Sequence, residues 1–240
     1  MPGEVPPPQI ALRGLVPATF EGRENRFRAR VTVAGESVPA YLPNPGRLQE
    51  LLLAGRRVMV RPAPPAVAAR RRTAHDLLLV EVEGRWISLD SRLPNPLLAR
   101  VLESRWLAGF KDYPVVRREV RLGESRIDFR LEGHPRPCWL EVKSVTLVEE
   151  RTAAFPDAPT QRGRRHLREL LRAVKQGARA AVVFVVQRED ARSFAPHDTT
   201  DPAFGEMLRA AARAGVEVRA LRCSVTPQVV AALDEIPVRL

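Results

Sequence analysis

The sequence predicts an α+β protein of two domains, a small β-barrel followed by a domain with a mixed central sheet. Residues 13–90 contain short segments in which apolar and polar residues alternate between turn residues, and this pattern is typical of strands. From residue 91 onward, helical and strand-like periods follow one another. A chain of 240 residues can bury one sizeable core or two modest ones. We therefore place the two domains at 13–90 and 91–240.

The first domain contains five segments with strand-like alternation, at residues 27–33, 37–41, 57–61, 77–83 and 85–89. The last two should pair as a hairpin across Glu83 and Gly84. We predict a small helix at 47–53 and a loop at 62–72, and we expect the proline-rich residues 1–12 to be frayed. Five short strands with one small helix favour an OB-like barrel, a fold that often binds single-stranded nucleic acid.

The second domain is predicted from periodicity to contain helices at 97–107, 162–175 and 202–214, and strands at 115–122, 126–131, 138–145, 180–187 and 216–221. Residues 181–186 are apolar throughout, as expected of a central strand covered on both faces. Asn44 and Asn95 each stand between two prolines, and an asparagine N-cap followed by proline signals a helix start. For Asn44 the alternative is that loop 44–47 presents Arg47 to a phosphate.

Lys143 is one of three lysines in a chain with 36 arginines. A lysine kept within an apolar strand indicates chemistry that arginine cannot perform, because its compact ammonium can approach a reacting oxygen or water. Residues two apart on a strand point to the same face, so Glu141 and Lys143 should project together. Asp128, on the preceding strand, would add a second carboxylate at the same point.

Two carboxylates and a lysine suit metal-assisted hydrolysis of phosphodiesters, with Asp128, Glu141 and Lys143 as the catalytic residues. The carboxylates of Asp128 and Glu141 would hold a hard cation, Mg²⁺ or Mn²⁺, that takes phosphate oxygens as further ligands. Lys143 would orient the attacking water or stabilise the developing charge. The alternative is a solvated ion pair between Glu141 and Lys143, which would contribute little to stability.

The charge balance favours an anionic polymer as partner. The chain has 39 basic and 28 acidic residues and a net charge of +11, and DNA is the most common such partner. Genomic base bias could explain arginine in place of lysine, but it does not explain the excess of basic residues. Candidate nucleic-acid contacts are Asn44 and Arg47, the run Arg70, Arg71 and Arg72, and Arg162, Arg165 and His166 on one helix face. The arginine run could equally be a solvated loop, and the helix face a solvated basic stripe.

Other classes of protein are disfavoured by the composition. Two cysteines are too few for a disulfide scaffold, and no Cys/His spacing indicates a zinc site. No stretch approaches the roughly 18 uninterrupted apolar residues of a membrane helix, and the N-terminus has no signal-peptide pattern. We expect a soluble, cytoplasmic protein with no membrane partner. The oligomeric state stays open, with a homodimer as one alternative.

Several strings resemble a known family. Asp128 followed by Glu141 and Lys143 is similar to the core motif of the PD-(D/E)xK nucleases, with Ile127 in place of the motif's proline. Longer strings resemble the sugar fermentation stimulation protein A family: YLPNPGRL at 41–48, SRIDF at 125–129, EVKSVT at 141–146, FPDAPT at 155–160, Arg162-Gly163 with His166-Leu167, and FVVQR at 184–188. The similarity runs from about Arg13 to about Thr226.

This resemblance implies an OB-like N-terminal β-barrel and a C-terminal α/β PD-(D/E)xK nuclease-like domain, that is, a restriction-endonuclease-like domain. It also implies a further carboxylate on the first helix of the second domain, where Glu103 is the candidate metal ligand and Glu119 competes for the role. Two functions stay open. One is a DNA-binding protein with a metal-dependent nuclease site, and the other is a non-catalytic DNA-binding transcriptional regulator of sugar metabolism on the same scaffold.

Overall fold

The computed structural model describes residues 6–71 and 73–240, in which the strands form three sheets. The elements of the barrel region are β1 (Gln9–Ala11), β2 (Val16–Asn25), β3 (Arg28–Val33), β4 (Glu36–Tyr41), β5 (Arg57–Pro62), α1 (Pro65–Ala68), β6 (His75–Val82) and β7 (Arg85–Ser88). Those that follow are α2 (Pro94–Glu103), β8 (Val115–Leu122), β9 (Ser125–Glu132), β10 (Cys138–Val145), β11 (Leu147–Glu149), β12 (Thr152–Phe155), α3 (Gln161–Lys175), β13 (Arg179–Val186), β14 (Ser193–Pro196), α4 (Pro202–Arg213), β15 (Glu217–Val225) and β16 (Val229–Ile236).

The N-terminal domain is a closed five-stranded barrel, as predicted. Its strands follow the order β4-β3-β2-β5-β6, and a parallel pairing between β4 and β6 closes the sheet. Closure removes the exposed edges that an open sheet would leave. The predicted hairpin across Glu83 and Gly84 is confirmed, because β6 pairs antiparallel with β7. The barrel interior is packed with residues such as Phe20, Val31 and Leu77, each of them buried.

Four predictions for the N-terminal part of the chain are wrong. The ten-residue strand β2 was not predicted, because among its residues only Phe20 is buried and the apolar alternation is therefore weak. No helix forms at 47–53, because Leu48 adopts a φ of 53°, which a right-handed helix cannot include. The loop predicted at 62–72 contains the helical turn α1. Within the proline-rich N-terminus, β1 is ordered against β16 rather than frayed.

The C-terminal domain contains a seven-stranded mixed sheet in the order β1-β16-β15-β13-β10-β9-β8. Strands β10, β13 and β15 are parallel, and the outer pairings are antiparallel. Helix α2 covers one face, where Val183 lies in the core. Helices α3 and α4 cover the other face, where Val182 and Phe184 are buried. The prediction that the central strand is covered on both faces is therefore confirmed.

Helix α2 begins three residues earlier than predicted. Its N-cap is Leu93, so Pro94, Asn95 and Pro96 form the first turn. Both prolines are tolerated there because the N–H groups of a first turn have no partner within the helix. Asn95 is therefore not an N-cap, and its side chain is available for another contact. Strand β16 and the small sheet β11-β12-β14 were also not predicted.

The loop at 43–47 joins the two domains. The carbonyl oxygen of Pro43 accepts hydrogen bonds from the backbone N–H of Ser91 at 3.1 Å and from its hydroxyl at 2.7 Å. Asn44 is buried and donates to the carbonyl of Leu89 at 3.1 Å. Asn44 is followed by no helix, so this second N-cap prediction is wrong as well. A Cβ on Gly46 would overlap the Asp157 carboxylate, so only glycine fits this contact.

No helix in the described part of the chain is long and apolar enough to cross a membrane.

Asp201 provides a test of how α3 and α4 are joined at their N-terminal ends. Its carboxylate is buried and accepts from the backbone N–H groups of Thr160 at 2.8 Å and Phe204 at 3.0 Å, and from Arg164 at 2.6 Å. We expect Asp201→Ala to lower the free energy of unfolding in urea by about 3 kcal/mol, because it removes a helix cap and leaves two backbone N–H groups and the half-buried guanidinium of Arg164 without their partner.

The matched control is Asp198→Ala, three residues earlier. Asp198 forms an exposed ion pair with Arg209, and exposed pairs contribute at most about 1 kcal/mol. Equal losses for the two variants would contradict the role assigned to Asp201.

Candidate active site

Asp128 enters the site where the pairing of β9 with β10 stops. The register runs from Leu131 opposite Cys138 to Phe129 opposite Leu140 and goes no further. The next residue of β9 is Asp128, and its Oδ2 accepts a hydrogen bond from the backbone N–H of Val142 at 2.7 Å. A side chain thus takes a position that a backbone carbonyl would otherwise fill. This contact brings the Asp128 carboxylate beside the strand that carries Glu141 and Lys143.

Asn95 completes the hydrogen bonding of Asp128. Its side-chain Nδ2 donates to Asp128 Oδ1 at 2.6 Å, and its position in the first turn of α2 directs it toward β9. The sequence interpretation missed this residue because it treated Asn95 as a helix cap. The available signal was the pair of prolines, which together fit the first turn of a helix and place Asn95 inside it.

Glu141 is the buried centre of the site, with 3% of its side chain exposed. Its Oε1 accepts a hydrogen bond from Lys143 Nζ at 2.5 Å and is also hydrogen-bonded to Nδ1 of His166. Its Oε2 is buried and has no hydrogen-bond partner among the described residues. A buried carboxylate oxygen without a partner is costly, so this atom indicates a ligand that the protein chain does not supply.

His166 is held between Glu141 and Arg162. Arg162 Nε donates to His166 Nε2 at 3.3 Å, so Nε2 accepts and the ring proton lies on Nδ1, from which it is donated to Glu141. Lys143 Nζ lies 3.4 Å from the same Nδ1, a contact of proximity, since a protonated Nδ1 cannot accept. His166 therefore orients Glu141 from α3, and it is buried rather than exposed to a ligand.

The two carboxyl groups have opposite pKa shifts. Burial and the neighbouring Glu141 raise the pKa of Asp128 to about 6. Burial acts in the same direction on Glu141, but Lys143 and the hydrogen bond from His166 outweigh it and lower the pKa of Glu141 to about 2. Both groups are ionised at pH 8, and each raises the energy of the other. A cation shared between them would remove this repulsion.

The other predicted metal ligand is not brought to this point. Glu103 is exposed at the C-terminal end of α2, eight residues after Asn95 and thus about 12 Å along the helix axis. Glu119 is exposed on β8 and lies 3.8 Å from Arg126. Across 6–71 and 73–240, no group of three or more His, Cys, Asp or Glu side chains is placed to hold a metal ion. Asp128 and Glu141 would therefore offer a cation two carboxylates, a number that suits Mg²⁺ because this ion usually keeps several waters.

The predicted nucleic-acid contacts of the C-terminal domain lie on α3. Arg162 and Arg165 are exposed near the N-terminal end of the helix, and Arg162 contacts His166 as described above. Exposed arginines on α3 thus begin at Arg162, which is linked to Glu141 through His166. These arginines could hold the phosphates that flank a reacting one.

The candidate nucleic-acid-binding residues of the barrel domain differ in exposure and in the contacts that they make within the chain. Arg47 is exposed, whereas Asn44 is buried and serves the domain junction. Arg70 is exposed, but Arg71 pairs with Asp76 at 3.0 Å and lies 5.3 Å from the centre of the Tyr41 ring. Arg71 is thus engaged within the chain, and Arg72 lies outside the described residues.

Comparison with known proteins places this geometry in a family. Residues 22–89 match the family model described as SfsA N-terminal OB domain, and residues 92–229 match the model described as sugar fermentation stimulation protein RE domain. Among similar curated proteins are the sugar fermentation stimulation protein homologs of Moorella thermoacetica, 50% identical with 94% of this chain and 97% of that protein covered, and of Desulforamulus reducens, 46% identical with 97% and 95% covered.

A solved structure agrees with both the fold and the sequence similarity. It is described as Pyrococcus furiosus SfsA in complex with Ca²⁺, and it superimposes with a TM-score of 0.87 at 31% identity over 96% of this chain and 98% of that one. The two family models together span most of the chain, and each of the relatives and the solved structure covers both of its domains. The chain belongs to the sugar fermentation stimulation protein family.

Proposed function

We propose that the protein binds nucleic acid and hydrolyses its phosphodiester bonds with a divalent cation held by Asp128 and Glu141. The observation that carries this proposal is the buried Oε2 of Glu141, which has no partner among the described residues and lies in a site that also contains the Asp128 carboxylate and the Lys143 ammonium. A pure binding surface for phosphates would not place two carboxylates there, because they would repel the ligand.

The chemistry of the donors fits Mg²⁺ or Mn²⁺. Both ligands would be hard carboxylate oxygens, which Mg²⁺, Mn²⁺ and Ca²⁺ prefer. The similar protein of Pyrococcus furiosus is described as a complex with Ca²⁺, which supports a divalent-cation site in this family. When bound, such a cation would lower the pKa of a coordinated water and offset negative charge on the phosphate.

The chain's own residues would have separate roles in this reaction. Asn95 and the Val142 N–H hold the Asp128 carboxylate in one orientation, and His166 does the same for Glu141. Lys143, at 2.5 Å from Glu141 Oε1, would orient the attacking water or stabilise charge on the phosphoryl oxygens. Arg162 and Arg165 would bind neighbouring phosphates through charge-assisted hydrogen bonds.

The second candidate function is DNA binding without catalysis, as a transcriptional regulator. The net charge of +11 supports nucleic-acid binding under either function, so charge alone does not separate the two. The carboxylates and the lysine do, because only hydrolysis requires them.

Substitutions of Asp128 and Lys143 separate hydrolysis from binding. We expect Asp128→Ala to reduce cleavage of single-stranded and duplex DNA in Mn²⁺ by more than about 100-fold, because it removes a metal ligand. Lys143→Arg keeps the charge but not the compact ammonium, so we expect it also to lose most of its turnover. Cleavage products on denaturing gels measure both effects, and DNA affinity in EDTA should stay within a factor of a few of wild type. If wild type cleaves no form of DNA and Lys143→Arg leaves binding unchanged, the protein is the non-catalytic regulator.

The pKa of Asp128 predicts how stability depends on pH without a cation. Because the carboxyl has a pKa of about 6 in the folded protein against an ordinary 3.8, the folded state holds the proton more tightly, and its stability falls as pH rises between about 4 and 6. The difference corresponds to about 3 kcal/mol. In EDTA, Asp128→Asn should therefore gain on wild type by up to this amount between pH 4 and pH 7, as measured by urea unfolding.

Added Mg²⁺ or Mn²⁺ at pH 7 should then stabilise wild type and not Asp128→Asn, because only wild type binds the cation in its folded state. A stability difference that is constant with pH, or equal stabilisation of both proteins by the cation, would contradict the assignment of Asp128.

The salt dependence of DNA binding tests the arginines of α3. Wild-type affinity should fall steeply as salt rises, because each arginine–phosphate contact releases counterions. Arg165→Ala should reduce the slope of log Kd against log salt by about one. The control is Arg213→Ala, an exposed arginine at the other end of the helical layer, in the last turn of α4. Its slope should equal that of wild type, and an equal change in both variants would mean that α3 is not the contact surface.

A further inference from the structure

A cavity of about 150 Å³ lies where the barrel loop meets the C-terminal domain. Its walls combine polar residues with apolar ones, and the apolar residues include Val145, Leu147 and Phe155. Asn44 and Ser144 add polar groups from opposite sides, one from the barrel and one from β10. Apolar walls with a few fixed polar groups are typical of sites for small organic groups.

The polar groups of the cavity retain hydrogen-bonding capacity. Ser144 Oγ accepts from Gln187 Nε2 at 3.0 Å, which leaves its own hydroxyl proton free to donate. Asn44 Nδ2 uses one hydrogen on the Leu89 carbonyl and has a second one. Asp157 also lines the cavity, and its carboxylate oxygens are acceptors. The cavity can therefore meet both donors and acceptors on a planar ring.

The loop that forms one wall is rigidly held. Asn44 Oδ1 accepts from the N–H of Gly46 at 2.9 Å, and the Gly46 Cα packs against Asp157. Arg23 donates to the carbonyl of Arg47 at 2.5 Å, and Arg26 to that of Pro45 at 3.2 Å. These bonds pair the loop's carbonyl groups with side chains of the barrel and so hold the loop in place. The cavity is therefore formed before a ligand binds.

The position of the cavity relates it to the candidate active site. Ser144 follows Lys143 directly in β10, and residues 144–146 all line the cavity. They extend about 3–10 Å from Lys143 along the strand. This distance is comparable to a nucleotide step of an extended polynucleotide strand. The Ser144 side chain points to the face opposite that of Lys143, but β10 ends at Val145. A chain whose phosphate lies at Lys143 would therefore pass the end of the strand and bring a neighbouring base within reach of the cavity.

We infer that the cavity takes one nucleobase of the same nucleic-acid chain whose phosphodiester group lies at Asp128, Glu141 and Lys143. A base can enter only when it is unstacked from its neighbours, so the preferred substrate is a single-stranded or locally unpaired chain rather than an intact duplex. The inference rests on the proposed function and extends it. It also assigns a purpose to the junction, because the barrel contributes one wall of the base site and the nuclease-like domain contributes the chemistry.

The first experiment uses the wild-type protein and changes only the nucleic acid. A short single-stranded DNA is bound in EDTA, and each nucleotide in turn is replaced by an abasic unit or by 2-aminopurine. Base–aromatic contacts change affinity by about 5- to 150-fold per base, so one abasic position should weaken binding by this factor while the others have little effect. The fluorescence of 2-aminopurine at that position should change on binding. Equal tolerance at every position would overturn the inference.

The second experiment blocks the cavity. Ser144→Leu places a branched side chain in it, and we expect this variant to bind the intact and the abasic DNA equally, both at the wild-type affinity for the abasic DNA. The matched control is Ser224→Leu, a half-buried serine on β15 of the same sheet, which should retain the difference. Ser144→Ala, a milder change, should fold like wild type and reduce the difference in part. If Ser144→Leu still binds the abasic DNA more weakly than the intact DNA by the full wild-type factor, the inference is wrong.

Two further outcomes separate this inference from its alternatives. If 2-aminopurine nucleotide monophosphate alone binds as tightly as the oligonucleotide, the cavity serves a free nucleotide and the inference is wrong. If the abasic scan is flat while cleavage still depends on Asp128, the base site fails and the proposed function stands. If the scan shows one sensitive position but no DNA is cleaved, the base site stands and the hydrolytic function fails.

Discussion

The hydrogen bond from the Val142 backbone to Asp128 is the contact on which the candidate site depends. It lies where the pairing of β9 with β10 ends, and it brings an aspartate carboxylate beside β10. Glu141 then becomes a second, more deeply buried carboxylate on the same strand as Lys143. Burial raises the pKa of Asp128, and the repulsion between the two acids raises it further. The protein thus holds an arrangement that is unfavourable for the chain alone, as is common for functional sites.

The surrounding elements are placed so that this arrangement keeps its shape. Asn95 reaches Asp128 from α2 on one face of the sheet, and His166 reaches Glu141 from α3 on the other. Each carboxylate is thus oriented by a helix that is itself fixed by a buried core. Supporting hydrogen bonds of this kind hold reactive groups within the small tolerance that catalysis needs. The helices that cover the two faces of the sheet therefore stabilise the core and also fix the side chains of the candidate site.

The sequence predicted the parts of the structure that leave a local signal. Alternation and apolar runs indicated the barrel, the buried strand β13 and the long helices, and a two-residue spacing indicated that Glu141 and Lys143 share a face. The parts that it did not predict depend on distant partners. Strand β2 buries little beyond Phe20, so its alternation is weak, and β1 exists only because β16 offers an edge. Asn95 was misassigned because its local context resembles a cap, whereas its true partner, Asp128, is 33 residues away.

The pairing of β1 with β16 has a consequence for how the chain acquires its structure. Strand β1 precedes the barrel in sequence, yet it completes the edge of the C-terminal sheet, and Arg100 holds the Gln9 carbonyl from α2 at 2.8 Å. During synthesis the barrel strands emerge first and can close on one another, since all of their partners lie between β2 and β7. The short segment before them must wait until β16 has been made. Among the described residues, this pairing therefore joins the first strand in the sequence to the last one, and it can form only late in synthesis.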